Sequence, residues 1–104
     1  MTETQFMATV IDTARMLGWR VAHFRPARTA HGWRTPVEAD GSGFPDLVLV
    51  RERVVFAELK AAKTRITSDQ RSWLDALDEA GAEVYLWRPY EWGEIERVLG
   101  RRSA

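Results

Sequence analysis

Asp46-Leu47-Val48-Leu49-Val50-Arg51-Glu52-Arg53-Val54-Val55-Phe56-Ala57-Glu58-Leu59-Lys60 consists of two apolar runs joined by three charged residues. Both runs are largely apolar, and Arg51-Glu52-Arg53 is short enough for a tight turn, so the pattern predicts an antiparallel hairpin. The first run is almost wholly apolar, as expected of a strand buried on both faces. The second is interrupted by Glu58 and Lys60. Side chains alternate along a strand, so these two project from one face. Burying such charges is costly unless they are paired or bind a metal.

A hairpin centred on Glu52 pairs Val50 with Val54, Val48 with Phe56 and Asp46 with Glu58. Directly opposed residues have Cβ atoms about 5 Å apart. Two carboxylates at that separation repel each other, and a divalent cation between them removes the repulsion. A hard ion such as Mg²⁺ is held by one or two carboxylates together with water and phosphate oxygens. A two-residue turn would shift the register by one and send Asp46 to the other face. The plain alternative is a Glu58–Lys60 salt bridge on a solvated face, with Asp46 merely starting a strand.

Working outward, Phe6, Val10, Ala14 and Leu17 mark one face of a helix over about Thr2–Leu17, with a Thr2/Gln5 capping box and Gly18 as its stop. Trp19–Arg25 reads as a first strand. Pro26–Gly43 shows no period and reads as a long irregular loop, which in so small a chain is more often functional or mobile than inert. Thr67–Ala80 is a second amphipathic helix, with a Thr67/Gln70 capping box and an apolar face of Trp73, Leu74 and Leu77. Glu83–Trp87 is a fourth strand ended by Pro89. Tyr90–Leu99 is a short last helix, and the residues from Gly100 onward read as a frayed tail. The order is αβββαβα: one α/β domain over residues 1–104 with a four-stranded mixed sheet.

The 104 residues suit one core, and their 45% hydrophobic content is that of a globular chain. Cysteine is absent, which excludes disulfides, thiolate metal sites and a cysteine nucleophile. No apolar run is long enough to span a bilayer, and the N-terminal segment has an early acid and scattered polar residues, unlike a signal peptide. A cytoplasmic protein is expected. The net charge of zero conceals blocks of +3 (residues 1–34), −3 (35–50), +3 (51–71) and −3 (72–104). A polyanion responds to the local field, so neutrality overall does not exclude nucleic acid.

Pro45-Asp46, then Glu58-Leu59-Lys60 after eleven residues, matches the PD-(D/E)XK nuclease signature. Together with His23 on the first strand, Ser42-Gly-Phe-Pro-Asp46, Gln70 and Trp87-Arg-Pro89, the chain resembles the stand-alone VRR-NUC domains of phages and bacteria. The resemblance implies a restriction-endonuclease-like αβββαβ core and a DNA endonuclease that leaves 5′-phosphate and 3′-hydroxyl ends. It implies Asp46, Glu58 and the Leu59 carbonyl as ligands of Mg²⁺ (Mn²⁺ substituting), with Lys60 orienting or deprotonating the attacking water. Glu3 resembles an acidic residue that approaches the metal, and Gln70 one that supports the site. Each also has a structural explanation, as a first-turn helix acid and as a capping residue.

Arg25, Arg28, His31 and Arg34, with Trp33 between them, form a candidate phosphate clamp with one stacking aromatic. Lys63 and Arg65 follow the signature strand and could meet backbone phosphates. His23 reads either as a substrate or metal contact or as a hydrogen-bonded residue near the core. A single site cuts one strand, so a homodimer acting on branched DNA, such as a four-way junction, is expected. The rival is a non-catalytic DNA-binding or partner-docking module on the same fold. A sequence-specific restriction enzyme is disfavoured, because no segment is left over to read bases.

Overall fold

The computed structural model describes residues 1–24, 27–29, 32–34 and 37–103. Helix α1 (Glu3–Met16) starts at a reciprocal cap: Thr2 Oγ1 accepts from the Gln5 N–H, and Gln5 Oε1 accepts from the Thr2 N–H. It ends before Gly18, whose φ of +91° lies in the left-handed region that only glycine enters freely. Strands β1 (Arg20–His23), β4 (Leu47–Val50), β5 (Val54–Leu59) and β6 (Glu83–Trp87) form one sheet in the order β1-β4-β5-β6. β4 runs antiparallel to both β1 and β5, while β5 and β6 are parallel. The parallel pair requires a crossover, which helix α2 (Ser68–Glu79) supplies. A 3₁₀ turn (Pro89–Glu91) leads into helix α3 (Trp92–Gly100).

The hairpin has the register expected from a three-residue turn: Val50 pairs with Val54, Val48 with Phe56 and Leu47 with Ala57. The turn closes through the Arg51 N–H donating to the Arg53 carbonyl. The core lies on one face of the sheet. There Leu47, Leu49, Val55, Ala57, Leu59 and Trp87 pack with Phe6, Val10 and Ala14 of α1 and Ile95, Val98 and Leu99 of α3.

Three expectations are corrected. The first hairpin strand is not buried on both faces: Leu47 and Leu49 are buried, but Val50 is 39% exposed and its partner Val54 is 45% exposed. Helix α2 packs against β6 at the far edge of that second face, so the β4 end stays open. Secondly, the segment read as an irregular loop contains a small hairpin, β2 (Ala27–Thr29) with β3 (Gly32–Arg34). Three-residue strands are too short for a period of two to register.

Thirdly, the tail is not frayed at Arg101. Its carbonyl accepts from Arg51 Nη2 (2.5 Å) and Arg53 Nη1 (2.6 Å), and its guanidinium bonds Glu83 (2.8 Å). Both turn arginines also lie over the Trp19 ring, at 4.6 and 4.9 Å from its centroid. Trp19 Nε1 donates to the Leu99 carbonyl. The turn thus clasps the ends of α1 and α3, at the opposite end of β5 from Glu58.

Candidate active site

The ladder between β4 and β5 stops at Leu47–Ala57, and Asp46 takes it one step further with its side chain. Its Oδ2 accepts from the Leu59 N–H at 2.9 Å. Its backbone carbonyl accepts from the Phe24 N–H at 3.1 Å. Buried Pro45 precedes it, so Asp46 is fixed between β1 and β5.

Glu58 and Lys60 share the face opposite the core. Glu58 is 1% exposed and Lys60 9%, and Lys60 Nζ stands 3.5 Å from Glu58 Oε2. The Lys60 N–H donates to the Trp87 carbonyl, which carries the β5–β6 pairing past Leu59. Gln70, in the first turn of α2, donates from Nε2 to the same Glu58 oxygen at 3.1 Å. Its Oε1 accepts from the Thr67 N–H at 2.9 Å. Gln70 therefore closes the cap through one end of its amide and bonds Glu58 through the other.

Glu58 Oε1 is buried and has no hydrogen-bond partner among the described residues. Burial pushes the Glu58 carboxyl up to about 8, the charge of Asp46 pushes the same way, and Lys60 pulls it back. An unsatisfied carboxylate oxygen is expensive inside a protein and is found where something else satisfies it. With a second carboxylate at hand, the donor set is oxygen-only and anionic, which fits a hard divalent cation.

Other expected participants are placed less centrally. Among the described residues no group of three or more His, Asp and Glu side chains comes together, so Glu3 does not join Asp46 and Glu58 as a third acid. Glu3 lies partly buried in the first turn of α1. Lys63 and Arg65 are exposed on the connection after β5. Arg25 and His31 lie outside the described residues. Arg28 and Trp33 pair across the small hairpin, and Arg34 pairs with Ala27. His23 pairs with Leu47, beside Asp46 in the chain.

The loop before Asp46 is bound to α2. Ser42 Oγ donates to Asp69, Trp73 Nε1 donates to the Asp40 carbonyl, and Phe44 packs edge-on against Phe24, Phe56 and Trp73. Sequence reasoning missed Ser42 and Asp69 as positioning residues, because they are 27 positions apart. The neighbouring cavity of about 530 Å³, lined by Asp40, Ser42, Asp69, Ser72 and Trp73, does not contain the paired carboxylates.

A mixed sheet whose central hairpin brings together an aspartate, a glutamate and a lysine two residues on is the plan of the PD-(D/E)XK nucleases. The VRR-NUC domain model matches residues 15–88, and the chain belongs to this nuclease domain family. The match begins after Glu3 and ends at Arg88. No curated protein matches the chain. The family makes this a nuclease domain with DNA as its substrate, and nucleases of this superfamily generally use divalent metals. Among the described residues no helix is long and apolar enough to cross a membrane.

Proposed function

We propose that the chain is a metal-dependent endodeoxyribonuclease, in which Asp46, Glu58 and the Leu59 carbonyl hold Mg²⁺ or Mn²⁺. The observation that carries this reading is the buried, unpartnered Oε1 of Glu58 beside a second carboxylate. When bound, the cation lowers the pKa of a coordinated water and offsets charge that develops on the phosphate. Gln70 holds Glu58 Oε2, so Oε1 is the oxygen that would be left to hold a cation. Lys60 orients the attacking water and balances charge at the phosphate. Lys63 and Arg65, with Arg25, Arg28, His31, Trp33 and Arg34, contact the DNA backbone and an unpaired base. One site cuts one strand, so the active species is a homodimer that cuts branched DNA, a four-way junction above all.

The test uses labelled four-way junction, flap, duplex and single-stranded DNA with Mg²⁺, Mn²⁺ or EDTA, and the Asp46→Ala and Lys60→Ala variants. Cleavage of the junction that needs metal, Asp46 and Lys60 is expected. A wild-type protein that cuts none of these substrates with either metal removes the nuclease reading. Undiminished cutting by Asp46→Ala removes the site assignment, and equal rates on duplex and junction remove the branched preference.

A further inference from the structure

Arg88 stands directly after β6, where the chain leaves the sheet. Its side chain does not turn outward to a carboxylate. Nη1 donates to the Ala61 carbonyl and to the Thr64 carbonyl, both at 2.7 Å. These two residues begin and end the turn that follows the signature strand, which closes through the Thr64 N–H donating to the Ala61 carbonyl at 3.3 Å. That closing bond is long, so the turn is weakly held by its own backbone. A guanidinium donating to both carbonyls holds it from outside, with charge-assisted bonds. The backbone that carries this cation is itself held: the Arg88 N–H donates to Glu91 Oε1, and the preceding Trp87 carbonyl accepts from the Lys60 N–H.

The turn so held carries Lys63 at its third position and leads to Arg65, and both are exposed. We infer that Arg88 is a positioning residue for the substrate: it fixes the Ala61–Thr64 turn so that Lys63 and Arg65 meet the DNA backbone beside Lys60. This inference rests on the nuclease reading for the use of the turn, and on the two Arg88 bonds for its shape. Arg88 touches no reacting group. Freeing the turn leaves the carboxylates, Lys60 and Gln70 in place, so the cost falls on binding. Ordering the loop at the moment of binding would then reduce the favourable free energy of association.

The test has a structural arm and a functional arm, in full-length protein. Trypsin cuts after Lys63 and Arg65, so the rate of cutting there reads the order of the turn without any use of activity. Arg88→Gln is expected to be cut several times faster at these two sites, and to bind labelled junction DNA about fivefold more weakly, the equivalent of about 1 kcal/mol. KM rises while kcat is held. In a Lys63→Ala/Arg65→Ala background the further effect of Arg88→Gln on binding disappears, as coupling through the turn requires. Arg88→Lys, which keeps the charge but loses the planar group, lies between and serves if Arg88→Gln does not fold.

Unchanged tryptic cutting, a fall in kcat alone, or an effect that adds in full to Lys63→Ala/Arg65→Ala overturns the inference. A wild type that neither binds nor cuts DNA overturns the nuclease reading instead, while the tryptic arm still decides whether Arg88 holds the turn.

Discussion

Gln70 Nε2 donates to Glu58 Oε2 at 3.1 Å while Gln70 Oε1 closes the cap of α2 on the Thr67 N–H. One side chain thus ties the start of a helix to the buried carboxylate of a strand, and the two duties separate by substitution. Gln70→Glu keeps an acceptor for the cap but sets a carboxylate against Glu58. Cleavage should fall at least tenfold, about 1.4 kcal/mol in the barrier. Thermal stability should fall too, because buried Glu58 Oε2 loses its donor and gains a like charge while the cap is kept. Thr67→Ala does the reverse, removing the hydroxyl cap at a cost of about 1 kcal/mol of stability and leaving the amide–carboxylate bond intact. Thermal unfolding and cleavage rates measured on both variants check the separation.

Glu58 is held at a cost. Its carboxyl is pushed up to about 8 by burial and by Asp46, so the folded protein favours the neutral form that the unfolded chain, above its ordinary carboxyl range, has given up. A group raised in this way adds stability below the unfolded value and withdraws it as pH rises toward the folded one. Glu58→Gln imitates the neutral form. In metal-free protein at pH 8 it should gain at least about 1 kcal/mol, or about 4–8 °C in Tm, and at pH 4 almost nothing. The same variant should lose cleavage. A Tm that falls at pH 8 would contradict the account of the site as strained.

The hairpin register was readable because it depends on local facts: two apolar runs and an odd-numbered turn leave Asp46 next to Glu58. Both long helices announced themselves through Thr-x-x-Gln boxes. What could not be read is non-local. Arg51 and Arg53 look like ordinary turn charges until α1 and α3 bring the carbonyls of Leu17, Leu99, Val98 and Arg101 to them. The exposure of Val50 and Val54 depends on where α2 lies over the sheet, which no pattern within the strands encodes. Gln70 shows the limit from the other side: its spacing explained the cap fully, and its bond to Glu58 depends on how α2 docks.

Gly43 is placed where no side chain fits. Its φ is +86°, and a Cβ there would lie 2.6 Å from the backbone carbonyl carbon of Asp69. The loop must touch α2 this closely for Ser42 to reach Asp69 and for Pro45-Asp46 to enter the sheet on line. Gly43→Ala should lower stability by about 1–3 kcal/mol through backbone strain and displacement of the loop. Because Asp46 follows three residues later, cleavage should also slow when measured below the new Tm. Gly93→Ala, where among the described residues the added Cβ meets nothing within 4 Å beyond its chain neighbours and its own helix backbone, is the matched control and should do neither.

Glu83 tests the clasp at the other end of the strands. It pairs with Val55 at the start of β5, whereas Glu58 pairs with Leu86 farther along. Its carboxylate accepts from Arg53 (2.8 Å), Arg101 (2.8 Å) and the Tyr85 hydroxyl (2.6 Å). Burial alone would raise this carboxyl, but the hydrogen bonds from Tyr85 and Arg53, with the charges of Arg53 and Arg101, hold it below the ordinary range. A lowered group contributes stability above its unfolded value, near 4.3, and that contribution is lost as pH falls through the folded value. Glu83→Gln should therefore be about 1 kcal/mol less stable than wild type at pH 7, with the gap closing below pH 4. Its kcat and KM should match wild type at a temperature where both are folded, because no group that holds Asp46, Glu58 or Lys60 has moved. A gap in Tm that stays constant from pH 7 to pH 3 would show that Glu83 acts by packing and not by charge.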